Sequence, residues 1–350
     1  MRLEEVELDA PGPGEVMVRV AGVGICNTDL GVADGHVPLP LPVVLGHEGS
    51  GVVEQVADDV ASLQPGDHVV LSFDHCGGCP TCRSGRPAYC DHFVAMNSTG
   101  CRMDGSVTMR QGGDPVYGSF LGQSSFATYS LASARNAIRV PDDLPIELLG
   151  PLGCSLQTGA GAVLRVLQPK PDSSLAVFGA GPVGMAAVMA ARAAGCATVV
   201  VVDPDVSRRE LALELGATVA LEPAEQIAQE VRRIVPGGVD HSVETVGTAQ
   251  VVDAALAVLA SPGSCATLGF RGPRNRIEID QGHLLLGRSI TGVIEGDVDP
   301  QTFIADLLAL HRTGLFPFER LITTFPFAEI DAAVGAARSG SVLKPVLVMN

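Results

Sequence analysis

The sequence has 350 residues and a net charge of −16, with 23 lysines and arginines against 39 aspartates and glutamates. That length exceeds a typical single core and predicts two domains, while the negative charge argues against nucleic-acid binding, which needs a basic surface. Abundant glycine and aliphatic residues, with no tryptophan, favour an α/β protein with buried parallel strands.

The first part of the chain, residues 1–155, is predicted to form an irregular, mostly β domain. Glycine and proline recur at short intervals, and the runs between them alternate apolar and polar residues as half-buried strands do. The clearest of these runs are EVMVRV (15–20), GVVEQV (51–56) and DHVVLSF (67–73).

Within that domain, four cysteines are spaced C-x2-C-x2-C-x7-C: Cys76, Cys79, Cys82 and Cys90. Four thiolates this close in sequence suit one tetrahedral Zn²⁺ ion, and a full sulfur shell leaves no position for a substrate, so we expect a structural zinc site. Two disulfides are an alternative, but no signal peptide precedes the chain, and we expect a cytoplasmic protein with reduced thiols. A nucleic-acid-binding zinc ribbon is a further alternative, for which the segment holds only Arg83 and Arg86.

From residue 156 to residue 294, apolar strands alternate with alanine-rich helices, which predicts a doubly wound parallel sheet. The pattern lapses near residue 295, and helices near 300–313 and 328–338 lead to a final strand, VLKPVLVM. We expect the tail, 295–350, to return to the first domain. The uncharged stretch 173–191 has nearly the length of a membrane span, but its glycines and Pro182 fit a strand, turn and helix better.

The second domain carries a dinucleotide-binding motif. Gly179, Gly181 and Gly184 form G-x-G-x-x-G between the strand SLAVF and a helix, which is the context that the motif requires. The first glycine makes the tight turn. The second lets the pyrophosphate approach the positive end of the helix dipole.

Asp203 ends the next strand and predicts the choice of cofactor. A carboxylate at this position accepts hydrogen bonds from the adenosine ribose and repels a 2′-phosphate, so the pattern favours NAD over NADP. Arg208 and Arg209 qualify this choice, because arginine can accommodate a 2′-phosphate. Alternatively, Asp203 only caps a helix whose first residue is Pro204.

Three further motifs, GICNTDL, GHEGSG and GPLGCSLQTGAG, contain Cys26, His47 and Cys154. Two cysteines and one histidine match the ligand set of a catalytic zinc that keeps its fourth position open. Taken singly, each could equally be a small buried residue, and we expect that ordinary role for Cys101, Cys196 and Cys265.

Over essentially its whole length the chain resembles the zinc-dependent medium-chain alcohol dehydrogenases, because the GHExxG element, the four-cysteine lobe and the GAGPVG turn occur in that family's order. The resemblance implies a Rossmann doubly wound sheet inserted in a mostly β, GroES-like catalytic domain. It implies NAD and two Zn²⁺ ions as cofactors, one zinc being held by Cys26, His47 and Cys154. The implied partners are a small-molecule primary alcohol and its aldehyde, and a second copy of the chain in a homodimer or homotetramer joined by strand pairing near SITGVIEG. Interaction with a membrane or nucleic acid is not expected.

The resemblance also implies roles around the catalytic zinc. Asp29 and Glu48 would orient and tune the metal from behind, and Thr28 would pass the alcohol proton. Otherwise the two carboxylates are ordinary loop residues with a solvated or capping role. Many relatives have a histidine five residues after the first zinc cysteine, but this chain has Gly31 there. The proton would then leave from Thr28 through the cofactor ribose and water, or through another group such as His36, and we expect that no nearby imidazole controls turnover.

At the cofactor, the resemblance places Thr158 and Val183 beside the nicotinamide, the backbone near Val246 along the cofactor, and Lys344 at the pyrophosphate. The family's members generally have a leading strand before the segment that here begins MRLEEVELDA, so we expect an exposed sheet edge in this chain.

The C-terminal segment resembles the branch that oxidises benzylic, aryl, allylic and terpenoid alcohols. In that branch the pocket wall would include Ser72, Phe73, Val37 and Leu39, each of which could otherwise be a routine core or loop residue. Two other functions stay open. One is a dehydrogenase of the same family acting on a polyol or a thiol–formaldehyde adduct. The other is a catalytically silent scaffold that binds zinc and NAD.

Overall fold

A computed structural model describes residues 1–272 and 274–349. Its strands, in chain order, are β1 (Glu7–Leu8), β2 (Glu15–Gly24), β3 (Glu48–Val56), β4 (His68–Leu71), β5 (Met109–Gln111), β6 (Asp114–Val116), β7 (Tyr129–Ser133), β8 (Ala137–Arg139), β9 (Ser174–Phe178), β10 (Thr198–Val202), β11 (Val219–Leu221), β12 (Val239–Glu244), β13 (Leu259–Thr267), β14 (Arg288–Gly292), β15 (Ile322–Pro326) and β16 (Lys344–Val348).

The α-helices are α1 (Asn27–Ala33), α2 (Pro80–Arg83), α3 (Phe93–Asn97), α4 (Ser155–Gly161), α5 (Pro182–Ala193), α6 (Val206–Leu215), α7 (Ile227–Ile234), α8 (Ala249–Ala257), α9 (Gln281–Leu285), α10 (Pro300–Arg312) and α11 (Ile330–Ser339). A π-helical turn, Ala162–Leu167, follows α4.

The chain divides into two units. The first unit contains Met1–Ser155, Val298–Asp306 and residues 319–349, and the second contains Leu156–Asp297 and Leu307–Phe318. The second half of α10 therefore belongs to the second unit, whereas the sequence pattern placed all of 295–350 with the first.

The second unit is built on a six-stranded sheet with the order β11-β10-β9-β12-β13-β14, in which every neighbouring pair is parallel. Its central strands consist almost entirely of buried aliphatic residues, because a parallel sheet covered by helices on both faces has no solvent side. The doubly wound sheet predicted from the strand–helix alternation is therefore confirmed. The strand order reverses at β9, and ligands of such sheets bind beside this point, at the carboxyl ends of the strands.

The first unit is mostly β, as predicted. Its main sheet has the order β15-β16-β2-β3-β4-β8, and β7 also pairs with β2. Inward-facing residues of β2, β3 and β4 form its core, which includes Val16, Val18, Val53, Val69 and Leu71. Strand β1 pairs with β5 in a separate small sheet. The predicted final strand is β16, which pairs antiparallel with β2 and so brings the C-terminal segment to the residues around Cys26.

The uncharged stretch 173–191 forms β9, a glycine turn and α5, as its glycines and Pro182 predicted. Among the described residues, none of the helices combines the length and the apolar character needed to cross a bilayer.

Candidate metal centres and cofactor site

Cys26, His47 and Cys154 come together in the first unit. Cys26 follows β2 and caps α1, His47 immediately precedes β3, and Cys154 lies just before α4. The ligand atoms of these residues and of Glu48 all lie within 4.8 Å of one another. The Cys₂His group predicted from three separate motifs is thus a single cluster.

The state of these side chains fits a metal ion. The Nε2 atom of His47 is buried and has no hydrogen-bond partner, which is a costly arrangement unless a metal occupies that lone pair. Hydrogen bonding from Cys154, which outweighs the effect of burial, holds the pKa of the Cys26 thiol well below its ordinary value. This favours the thiolate, the form that binds zinc.

Asp29 is hydrogen-bonded to the histidine of this cluster. Its Oδ1 lies 2.9 Å from Nδ1 of His47, and both side chains are fully buried. The same carboxylate accepts hydrogen bonds from the backbone N–H groups of Gly46 and Cys26, each at 3.0 Å. It therefore fixes the ring of His47 relative to the loop that carries Cys26, which leaves Nε2 as the metal-facing nitrogen.

Glu48 lies beside the metal cluster and is held there by Lys344. The Nζ of Lys344 donates to the two carboxylate oxygens of Glu48, at 3.0 and 2.8 Å, and to the carbonyl of Ile25 at 3.1 Å. The N–H of Ser155 also donates to Glu48, at 3.3 Å. Burial raises the pKa of Glu48, and the charge of Lys344 opposes this shift.

This geometry bears on the role expected for Lys344. Its side chain is only 2% exposed, and the three acceptors already account for its three N–H groups. A pyrophosphate would have to break these bonds and draw a buried ammonium out of an ion pair. Lys344 is therefore a buried cation paired with Glu48, and its implied place at the pyrophosphate stays a prediction.

Thr28 lies on the first turn of α1, with its hydroxyl 3.8 Å from Sγ of Cys26, and so lies close to the metal cluster. His36 is exposed beyond the end of the same helix.

An apolar cluster adjoins the metal site in the first unit. The ring of Phe120 packs edge-on against His47 with 5.5 Å between centroids, and Val37 and Leu39 are half-buried against the same cluster. Phe73 is buried in its core and contacts Phe93, so it is a core residue. Ser72 is buried as well, and its hydroxyl donates to the carbonyl of Gly153 at 2.7 Å.

The second cluster contains the remaining predicted zinc ligands, with ligand atoms within 4.8 Å of one another: Cys76, Cys79, Cys82 and Cys90. The sulfur atoms of Cys76 and Cys82 lie 4.0 Å apart, as do those of Cys79 and Cys90, which is far longer than a disulfide bond. All four cysteines are free. The disulfide alternative is therefore not what the chain adopts. Backbone N–H groups point at three of the sulfurs, which stabilises thiolates around a closed tetrahedral zinc.

The glycine motif forms the predicted turn in the second unit. Gly179 has φ of 92°, which only glycine adopts readily, and a Cβ on Gly184 would lie 1.8 Å from the carbonyl oxygen of Gly179. At Gly181, by contrast, an added Cβ would meet no atom within 4 Å. The turn therefore leaves an open approach at its second glycine, before the N-terminus of α5, which suits a pyrophosphate.

Asp203 follows β10 and is almost fully buried. Its Oδ2 accepts a hydrogen bond from the N–H of Ala180 at 2.7 Å, so the carboxylate is directly linked to the glycine turn. The capping alternative is wrong, because the helix α6 is capped by Asp205, whose side chain accepts from Ser207 and Arg208. The other oxygen of Asp203, Oδ1, accepts from the N–H of Asp205 at 2.9 Å, so the carboxylate links the glycine turn to the start of α6.

The other predicted cofactor residues lie in the same unit. Thr158 is on α4, and a Cβ on the neighbouring Gly159 would lie 1.9 Å from the carbonyl oxygen of Val183. Val246 follows β12, and its side chain lies against Gly179. The side chain of Arg208 is half-buried on α6.

The comparisons with known proteins agree with this arrangement. Residues 12–142 match the sequence profile described as alcohol dehydrogenase GroES-like domain, and residues 182–312 match that of zinc-binding dehydrogenase. Geraniol dehydrogenase of Castellaniella defragrans is 46% identical over 356 residues, covering 99% of this chain and 94% of that protein. The chain belongs to the zinc-dependent medium-chain alcohol dehydrogenase family.

Two solved structures have the same fold throughout. The alcohol dehydrogenase zinc-binding domain protein of Burkholderia ambifaria superposes with a TM-score of 0.96 at 47% identity, over 99% of this chain and 94% of that chain. Benzyl alcohol dehydrogenase of Acinetobacter calcoaceticus also has a TM-score of 0.96, at 40% identity, over 100% and 96% of the two chains. Membership of this family, with its GroES-like and Rossmann domains and its zinc and NAD cofactors, confirms the assignment made from the motifs.

Some residues of this dehydrogenase site carried no sequence signal. Gln123 is fully buried, and its amide donates to the carbonyls of His47 and Ser72 and accepts from Gly49. It supports the loop that holds the metal-binding histidine, yet it is 76 residues away in sequence and belongs to no motif. Glu244, at the end of β12, is a second such residue.

Proposed function

We propose that the chain oxidises allylic or aryl primary alcohols to aldehydes, reversibly, with NAD as the hydride acceptor. The observation that carries the proposal is the Cys₂His cluster with the unpartnered Nε2 of His47, which fits a zinc site with an open position. The substrate class is supported by relatives whose names are geraniol dehydrogenase and benzyl alcohol dehydrogenase.

Zinc held by Cys26, His47 and Cys154 would supply a Lewis acid that lowers the pKa of an alcohol hydroxyl. Asp29 keeps the imidazole of His47 oriented, and the ion pair with Lys344 fixes the carboxylate of Glu48 beside the ligand set. The hydroxyl of Thr28, next to Cys26, accepts the proton that the alcohol loses and passes it toward solvent.

NAD would supply the hydride acceptor, and the second unit would hold it at the glycine turn. The backbone around Gly181 receives the pyrophosphate, and Asp203 accepts hydrogen bonds from the adenosine ribose and disfavours a 2′-phosphate. Thr158 and Val183 form the surface for the nicotinamide. Arg208 lies on the helix after Asp203 and adds a positive charge near the adenosine end.

We also propose the domain organisation expected from the sequence, in which 1–155 and 295–350 form the catalytic domain and 156–294 the NAD-binding domain. The unit boundaries near Ser155 and Asp297 support it, but within the tail Leu307–Phe318 belongs to the second unit. A cytoplasmic location is part of the proposal, because both thiolate clusters need a reducing environment.

A homodimer or homotetramer joined at β14 is the proposed assembly. In the described part of the sheet β14 is an end strand that pairs only with β13, and the adjoining Leu284, Leu285 and Leu286 are exposed. An unprotected edge strand beside apolar side chains is a surface that a second copy would cover.

The test is NADH formation with benzyl alcohol, geraniol, sorbitol and a hydroxymethyl-thiol, with zinc content measured on the same samples. We expect turnover of the first two alcohols, two zinc ions per chain, and loss of one zinc and of activity in Cys154→Ala. The matched control is Cys196→Ala, which removes a half-buried thiol of the second unit and should change neither.

Other outcomes would contradict the proposal. Preferred turnover of sorbitol would indicate a polyol dehydrogenase, and preferred turnover of the hydroxymethyl-thiol a thiol-adduct dehydrogenase. One zinc that Cys154→Ala does not affect, without turnover of any alcohol, would indicate a silent scaffold.

A further inference from the structure

A buried carboxylate outside the metal clusters ends strand β12. Glu244 is fully buried, and its Oε1 accepts hydrogen bonds from the N–H groups of Val246 and Gly247, both at 2.6 Å. Its Oε2 accepts from the hydroxyl of Thr267 on β13, at 2.8 Å. Burying a carboxylate costs desolvation free energy, which its charge-assisted hydrogen bonds offset. These bonds also fix the arrangement of the backbone groups that donate them.

The backbone that Glu244 holds lies against the glycine turn. The hydroxyl of Thr245 donates to the carbonyls of Phe178 and Gly179, at 2.9 and 3.1 Å. A Cβ on Gly179 would lie 2.4 Å from Oγ1 of Thr245 and 2.9 Å from the side chain of Val246. The loop after β12 therefore forms one wall of the turn where the pyrophosphate is expected.

The same loop is joined on its other side to the loop after β13. A Cβ on Gly269 would lie 2.0 Å from the backbone nitrogen of Gly247, so the two loops are in direct contact. The Nε of Arg271 donates to the carbonyl of Val246 at 3.0 Å, and the N–H of Leu268 donates to the carbonyl of Glu244 at 2.7 Å. The carboxylate thus lies at the centre of three loops at the carboxyl edge of the sheet, where a parallel sheet binds its ligand.

We propose that Glu244 is a positioning residue for the dinucleotide: its carboxylate holds the Val246–Gly247 backbone against the glycine turn and so shapes the edge on which the cofactor lies. The inference rests on the proposed use of a nicotinamide dinucleotide. Shape matters here more than charge, because an amide oxygen can accept the same two N–H bonds and the hydroxyl of Thr267 can accept from an amide nitrogen.

The experiment compares Glu244→Gln and Glu244→Ala by the Kd of NADH, followed by nucleotide fluorescence, together with zinc content and kinetic constants. The alanine variant should bind NADH about tenfold or more weakly, raise the KM for NAD far more than it lowers kcat, and keep two zinc ions. The glutamine variant should stay within about threefold of the wild type in all of these, which is the rescue that a positioning role predicts.

The matched control is Asp240→Asn at the amino end of the same strand. Its carboxylate accepts from the N–H and the hydroxyl of Ser174, at 2.8 and 2.7 Å, so the change perturbs a bonded carboxylate far from the carboxyl edge. We expect this variant to have the wild-type Kd for NADH even if its melting temperature falls.

A folded Glu244→Ala protein with the wild-type Kd would overturn the positioning role and leave the proposed function intact. A wild-type protein that binds neither NADH nor NADPH would overturn both. If Glu244→Ala does not fold, the variant Thr267→Val tests the inference instead. It removes the hydrogen bond to Oε2 of Glu244 and should weaken NADH binding at least about threefold. An unchanged Kd for NADH would overturn the inference.

Discussion

Replacement of Lys344 by methionine should strongly destabilise the catalytic unit. The ammonium is 2% exposed, its partner Glu48 is fully buried, and hydrogen bonds of 2.8 and 3.0 Å join them. The carboxylate is packed tightly against Gly24, because a Cβ added to that glycine would lie 2.1 Å from Oε2 of Glu48. Lys344→Met would therefore leave a buried carboxylate without its cation, which costs about 3–5 kcal/mol of unfolding free energy.

The assay measures the unfolding free energy by urea titration at fixed pH with excess zinc, with a spectroscopic signal from the first unit. The control is Arg338→Met, which removes the cation of an exposed ion pair with Asp34 in the same unit, the two side chains being 48% and 34% exposed. We expect the control to lose less than about 1 kcal/mol. The double variant Lys344→Met/Glu48→Gln should recover about 1–3 kcal/mol relative to Lys344→Met, because the unpaired charge is gone. A loss for Lys344→Met no greater than that for the control would refute the reasoning.

Three further results are expected. Burial raises the pKa of Asp74 to about 6, so the folded state binds this proton more tightly than the unfolded state and stability falls as pH rises from about 4 to about 6. The unfolding free energy of Asp74→Asn minus that of the wild type should therefore increase by up to about 3 kcal/mol between these pH values and stay constant above them. A difference that does not change with pH would contradict this. Cys76→Ser should lower the zinc content from two to one per chain and lower the melting temperature while the remaining zinc resists removal; loss of both ions would argue against independent sites. His36→Ala should leave the pH profile of turnover unchanged, and a kinetic pKa of about 6 to 7 that disappears in this variant would make His36 part of the proton path.

Much of the fold and of the site could be predicted because the relevant residues have a chemical signature of their own. The strand, turn and helix around Gly179 are local in sequence, and a parallel sheet leaves a recognisable alternation of apolar strands and helices. The four-cysteine lobe is local too. The Cys₂His set is not local, and only the resemblance to a family joins it, since spacing alone does not bring Cys26, His47 and Cys154 together.

The role of Lys344 could not be predicted, because it depends on long-range strand pairing. Its partner Glu48 is 296 residues away, and the two meet only because β16 and β3 both pair with β2. The helix cap after β10 cannot be assigned from the sequence, for a subtler reason. Both Asp203 and Asp205 are good capping residues, and only the backbone geometry decides that α6 begins after the second of them.

The proposed activity requires an unsaturated zinc centre made of two cysteines and one histidine. X-ray absorption at the zinc edge, on Cys76→Ser protein that retains only its catalytic ion, measures this shell directly. We predict two sulfur scatterers at about 2.3 Å and two lighter scatterers, nitrogen or oxygen, at about 2.0–2.1 Å. Four sulfurs, no sulfur, or no bound zinc in this variant would contradict the account.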